Sequence, residues 1–170
     1  MKLRNRRDTV KVNGEEYTIL RVLRERRNYH SYVVSGQPMC LLKEFKAGEG
    51  YKWASSVYRK LQSFNIEIPK VIAADDCMHI IIQEYLSGVL ASEIIIRGEM
   101  DGTHLNQVRE MAAEAESNGI SLDYFPGSFL VTQKGIVYVG DIIYEKNDSN
   151  TFDTAGTKYW MNVLGCFSGK

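Results

Sequence analysis

Nothing in the first 45 residues recurs at helical spacing; apolar positions alternate with polar ones or gather in short blocks. That pattern predicts strands at Val10–Asn13, Glu16–Leu23, Ser31–Val34 and Met39–Phe45, an antiparallel meander. Asn13-Gly14 turns the first strand into the second, and Gly36-Gln37-Pro38 leads into the last. The period then changes: Trp53, Val57, Leu61 and Phe64 predict a helix over Tyr51–Phe64 with one apolar face, closed at Asn65. A turn at Asp75-Asp76 precedes a nearly all-apolar strand, Met78–Glu84, which runs into Tyr85-Leu86-Ser87-Gly88. A short helix over Ser92–Ile96 is expected. A longer one follows over Leu105–Ser117, capped by Thr103, with Leu105, Val108, Met111, Ala112 and Ala115 on its apolar face. Asn118-Gly119 closes that helix. Phe129-Leu130-Val131 and Ile136-Val137-Tyr138-Val139 then read as a hairpin about Gln133-Lys134-Gly135. Ile142–Glu145 is apolar, 146–153 is polar and loop-like, and Thr157–Cys166 forms a last short helix or strand that packs Trp160.

Composition adds limits rather than elements. A hydrophobic content of 44% with 25% charged residues fits one globular domain, or a compact pair of lobes, with a substantial core. Twenty-one basic residues balance 21 acidic ones, so no global field recruits nucleic acid or an anionic membrane. The arginines at 4, 6, 7, 24, 26 and 27 lack interleaved aromatics, which argues against a nucleic-acid face. Cys40, Cys77 and Cys166 form no CxxC pair and read as reduced thiols. His79 and His104 stand alone and suggest no metal pair. The basic N-terminus has no apolar signal core and no run approaches about 18 apolar residues, so a cytoplasmic protein that makes no membrane contact is expected.

Two features carry candidate chemistry. Asp123 precedes the hairpin and Asp141 follows it, so a hairpin this short brings both carboxylates to one sheet end. Such a pair can hold a metal ion and orient an acceptor hydroxyl; aspartates after a helix or a strand are also ordinary turn residues. Lys43 lies inside a strand, in Cys40-Leu41-Leu42-Lys43-Glu44-Phe45, where it is either a solvent-facing residue or a buried ligand group.

From Gly119 to Asp141 the chain resembles the catalytic hairpin of the protein-kinase-like superfamily, in which an Asp, an Asn five residues on, two strands and a metal-binding Asp follow in order. The short loop with Pro126 is similar to that of the small bacterial kinase-like proteins, the aminoglycoside-phosphotransferase-like and lipopolysaccharide-kinase-like branch. The likeness extends from about Tyr17 to Glu145: strand lysine, helix, Ile-x-x-Pro-Lys-Val-Ile, strand, Gln-Glu-Tyr-Leu-Ser-Gly, helix, Asp, hairpin, Asp. It implies a two-lobed α+β fold. An N-terminal lobe over 1–86 would hold an antiparallel sheet and one helix, and a reduced, mainly helical C-terminal lobe over 87–170 would carry the catalytic hairpin.

The same resemblance implies ATP and Mg²⁺ as cofactors. Asp123 becomes the catalytic residue, Asp141 the metal ligand, Lys43 the partner of the phosphates, and Glu84, Tyr85 and Leu86 the backbone that meets adenine. Ser128 stands where the family has Asn, and is expected to touch both metal and nucleotide. There are further departures. The connector Arg24–His30 lies where the family has a Gly-rich loop and holds no glycine, so it is either a solvated turn or a phosphate grip made by Arg26, Arg27 or His30. Ala54, Ser55 and Ser56 occupy the place of the helix Glu that pairs with the lysine, leaving Glu49 as the nearest acid. Later helices that bind protein substrates in larger kinases have no counterpart in the sequence. The function implied is an ATP–Mg²⁺-dependent phosphotransferase acting on a small-molecule or protein hydroxyl, with a catalytically inactive kinase-like binding module as the alternative.

Overall fold

The structure, a computed structural model, describes residues 8–164. Met1–Arg7 and Cys166, on which some of these expectations fall, lie outside the described residues. The architecture is mixed α+β: a curled antiparallel sheet, two smaller sheets and, among the described residues, four α-helices. Two compact units emerge. One runs through Tyr58 and again over Pro69–Leu86; the other comprises Arg59–Ile68 and the chain from Ser87 onward.

The first unit holds six strands. β1 (Thr9–Val12) and β2 (Glu15–Glu25) join through Asn13-Gly14, both at positive φ (51° and 87°), as the Asn-Gly signal requires. β3 (Tyr29–Val34), β4 (Cys40–Phe45), β5 (Val71–Asp75) and β6 (Ile80–Glu84) complete an all-antiparallel sheet of order β1-β2-β3-β4-β6-β5. The sheet curls until its edges approach, and the Asn13 amide donates to the Ala74 carbonyl (3.2 Å). Inside the curl Val12, Ile19, Val34, Leu42 and Ile82 form an apolar cluster. On the other face α1 (Gly48–Gln62) lays Tyr51, Ala54 and Tyr58 against Phe45 and Ile81.

Several expectations are corrected here. β2 runs two residues past Leu23, to Glu25, and β3 opens at Tyr29, so four of the seven residues expected as a connector are strand. β5 is a strand where the sequence predicts only a Pro-marked passage and a turn. β6 starts at Ile80, because Asp75 accepts from the Cys77 and Met78 amides and His79 takes φ 55°, which closes the preceding turn. Trp53 is 53% exposed and does not share the face of Val57 and Leu61. At about 100° per residue the buried stripe runs from Tyr51 through Tyr58, Ala54 and Leu61 to Val57, and Trp53 falls roughly 40° beyond it.

The second unit holds α2 (Ala91–Ile96), α3 (Gly102–Ser117) and α4 (Thr157–Leu164), with a π-helical turn at Phe152–Gly156. It is less helical than expected, because five short strands share it. β7 (Val89–Leu90) pairs with β9 (Phe129–Thr132), which forms the expected hairpin with β10 (Gly135–Tyr138). β8 (Ile120–Leu122) pairs with β11 (Ile143–Glu145), the stretch read only as apolar. All five expected α3 residues are buried. Its cap, however, is Asp101, whose Oδ1 accepts from the His104 amide (2.9 Å), and not Thr103. Trp160 is buried, as expected of a packing anchor.

Candidate functional site

The hairpin end is built around a residue that sequence reasoning passed over. Tyr138, last in β10, lies on the inward-facing parity with Ile136 and packs edge-on against Phe129 (5.3 Å between centroids). Its hydroxyl accepts from the Asp123 amide (3.2 Å) and donates to the Ile142 carbonyl (2.5 Å). One side chain thus ties the residue after β8 to the residue after Asp141. Burial pushes the Tyr138 phenol well up, and the charges of Asp123 and of Asp141 both raise it further, so both carboxylates lie within electrostatic reach of that hydroxyl.

Asp123 itself is held on both oxygens. Oδ1 accepts from the Phe125 amide (3.2 Å) and Oδ2 from the Ser128 hydroxyl (2.6 Å). Pro126–Ser128 forms a 3₁₀ turn, which brings Ser128 back over the carboxylate five residues earlier. Ser128 directs its proton at Asp123 and keeps oxygen lone pairs that a cation could use. The loop is braced from behind: the Trp160 indole donates to the Tyr124 carbonyl (2.7 Å), and the Tyr124 hydroxyl donates to Glu116 (2.8 Å). Glu116 Oε1 also accepts from the Phe152 amide (2.7 Å).

Among the described residues no group of three or more His, Cys, Asp or Glu could hold a metal ion by itself. Mg²⁺ makes no such demand, since it binds through one or two carboxylates, with phosphate oxygens and water completing its shell. Asp123, Asp141 and the Ser128 oxygen match that donor set in kind.

In the first unit Lys43 is buried, not solvent-facing. Its ammonium donates to the Tyr58 hydroxyl (2.5 Å) and lies 5.5 Å and 5.2 Å from the ring centroids of Tyr29 and Tyr58. Tyr58 is one turn of α1 beyond Ala54 and Ser55, and Glu49 is exposed. His30 is corrected too. It pairs with Glu44 while Lys43 pairs with Ser31, so His30 and Lys43 point to opposite faces of the sheet. The actual turn is Arg26-Arg27-Asn28, and Lys46 fastens it: its amide donates to the Asn28 carbonyl (3.0 Å) and its ammonium to that of Arg26 (2.8 Å).

At the far end of β6, Glu84 and Lys70 are doubly bonded. The Glu84 amide donates to the Lys70 carbonyl (2.9 Å), and the Lys70 amide donates to Glu84 Oε1 (3.0 Å). The Tyr85 amide donates to the Met39 carbonyl (3.1 Å), and Arg21 donates to the Tyr85 hydroxyl (2.8 Å). Leu86 is half-buried.

The buried phenols carry a pH consequence. Burial first, then the Glu15 carboxylate, pushes Tyr17 up to about 12, and Tyr138 shifts in the same direction. The folded state therefore holds these protons more tightly than the unfolded chain, whose phenols titrate near 10. Their contribution to stability is complete below about pH 10 and is lost as the pH rises towards about 12. The urea midpoint should fall across that interval, and Tyr138→Phe should flatten the fall; an unchanged midpoint to pH 12 would contradict the assignment.

No known family profile and no curated protein matches the sequence. Among the described residues no helix is long and apolar enough to cross a membrane. The solved structures do provide a match, the crystal structure of the BubR1 kinase domain. The superposition has a TM-score of 0.65 at 13% sequence identity and covers 88% of this chain and 54% of that one. The chain thus spans about half the length of that kinase domain. The fold is protein-kinase-like.

Proposed function

We propose that the protein is an ATP–Mg²⁺-dependent phosphotransferase acting on a small-molecule or protein hydroxyl. The observation that carries this reading is the Tyr138 tie, which holds Asp123 beside the segment that follows Asp141. Asp123, kept in orientation by the Phe125 amide and the Ser128 hydroxyl, orients the acceptor hydroxyl and takes its proton. Asp141 holds Mg²⁺, with the Ser128 oxygen beside it; the bound ion neutralises charge on the phosphates. Lys43 steadies the phosphates as a point charge. With the Glu84 amide committed to Lys70 and the Tyr85 amide to Met39, the adenine edge falls to the Leu86 backbone and the Glu84 carbonyl. The Pro-containing loop between Asp123 and Ser128 favours the small bacterial kinase-like branch.

A thermal-shift titration with ATP, with and without Mg²⁺, tests the reading directly. Ligand at about 100 times its dissociation constant stabilises the folded state by roughly 2.7 kcal/mol, a visible shift. Lys43→Met keeps the stem and removes the charge, so the ATP-induced shift should vanish while the shift-free melting temperature changes little. An unaltered shift would remove Lys43 from the site.

A second reading, a kinase-like module that binds without catalysis, is favoured by two observations. Lys43 meets a tyrosine hydroxyl where a carboxylate would hold it, and the turn at Arg26–Asn28 has no glycine through which backbone amides could close on phosphate. ATP-induced stabilisation without turnover over any acceptor would select it.

A further inference from the structure

We propose that the open end of the six-stranded sheet, around His30, binds a small organic cation: an amine or guanidinium carried on an apolar stem. Glu25 is the cross-strand partner of His30, and His30 is that of Glu44, so one row sets an imidazole between two carboxylates. Directly paired residues share a face, here the concave face of the sheet with Tyr32 and Ile80. At that end lies a cavity of about 800 Å³, whose apolar wall includes Val10, Phe45, Met78 and Ile80. This volume suits a small ligand, and the mouth of a curled sheet is a common place for one.

His30 supplies the independent sign of a ligand. Only 7% of it is exposed, and its Nδ1 has no hydrogen-bond partner among the described residues. Buried ring nitrogens are ordinarily partnered, so this one points to a donor that the described residues do not supply. The histidine ring torsion is broad, so the ring can turn that nitrogen to an incoming N–H.

The other polar groups of the cavity fix the sign of the ligand. Tyr32 donates to one oxygen of Glu44 (3.2 Å), leaving the second oxygen and the Glu25 carboxylate to accept. Lys46, also on the wall, has its ammonium tied to the Arg26 carbonyl (2.8 Å). Cys77 and His79 complete the polar lining. The Tyr32 phenol is pushed up by burial and then by the charges of Glu44, Glu25 and Asp8, which marks the local field as negative. Zinc and similar ions are the wrong ligand, because they take three or four protein ligands and no group of three or more His, Cys, Asp or Glu among the described residues could hold one. A cation with several N–H donors fits: it pairs with both carboxylates, reaches His30 and lays its stem along Val10, Met78 and Ile80. Lys43 faces the other side of the sheet, so this site is separate from the nucleotide reading and does not depend on it.

The test titrates the full chain with agmatine, which carries a guanidinium and an amine on an apolar stem, by calorimetry and by the His30 imidazole resonances. Saturable binding that moves the His30 signals is expected. Glu25→Gln and Glu44→Gln should each weaken it about tenfold or more, as loss of a charge-assisted hydrogen bond does. Lys43→Met and Asp141→Asn should leave it unchanged. An acetyl-Gly-Arg-Gly-amide peptide separates the sources: tighter binding than agmatine identifies an arginine side chain of a polypeptide, and weaker binding identifies a free small molecule. No saturation at millimolar agmatine, or equal affinity in the Glu25→Gln protein, overturns the proposal. Because Glu44→Gln disturbs the Tyr32 contact, the exposed Glu25 position decides if that variant fails to fold.

Discussion

Asp123→Asn should reduce phosphoryl transfer by about 10²–10⁴-fold while leaving Mg²⁺-dependent nucleotide binding nearly intact. The substitution is close to isosteric. The Asn carbonyl oxygen can still accept from the Phe125 amide, and the Ser128 hydroxyl can rotate to accept where it now donates. What disappears is a base for the acceptor proton. Asp141→Asn should do the reverse, weakening Mg²⁺-dependent nucleotide binding because a charge is removed from the metal. Single-turnover transfer from labelled ATP, run beside the thermal shift, separates the two. Equal transfer by the Asp123→Asn and unaltered proteins would dismiss Asp123 from chemistry, and equal binding by the Asp141→Asn protein would dismiss Asp141 from the metal.

Trp160→Ala should be the most damaging substitution for stability. The indole is 1% exposed, meets Phe129 edge-on with centroids 5.4 Å apart, and donates to the Tyr124 carbonyl at 2.7 Å. Deleting a buried tryptophan costs about 3–5 kcal/mol, which in a chain of this size lowers the melting temperature by roughly 6–20 °C. Trp160→Phe keeps much of the packing and loses the hydrogen bond, so a smaller loss is expected. The chain's two tryptophans make the result readable by fluorescence: Trp53 is exposed, so the blue-shifted emission of the folded state belongs to Trp160. Normal stability of the Trp160→Ala protein would show that α4 does not anchor this unit.

The strand meander, α1, α3 and the hairpin were legible because each rests on local chemistry. The Asn13-Gly14 turn, the period of Leu105–Ala115 and the Gln133–Gly135 turn all state their conformation within a few residues. β5, β8 and β11 were not legible as strands. Each is at most five residues long; β8 and β11 acquire their extended form from one another across a long stretch of chain, and β5 acquires its own by pairing with β6 across a short turn. The candidate site divides in the same way. Asp123 and Asp141 could be singled out from their positions around the hairpin, and Lys43 from its place in a strand. Tyr58, which meets Lys43, and Tyr138, which joins the two acidic loops, are aromatic residues at ordinary core positions, and only the tertiary fold gives their hydroxyls a task. Trp53 was misplaced because spacing of four alone puts a residue on a helix face without saying where that face ends.

Glu116 has a consequence for synthesis on the ribosome. Its carboxylate fastens both Tyr124 and Phe152, and Trp160 then closes over the Tyr124 carbonyl. When Asp123 leaves the exit tunnel, Phe152 and Trp160 have not yet emerged with it, so the loop that holds it has no fixed shape. Only after Trp160 emerges can the loop lock. A nascent chain with Asp123 outside the ribosome and Trp160 still within it would present Asp123 on a segment open to proteases and chaperones, and the emergence of Phe152 and Trp160 converts that segment into a site.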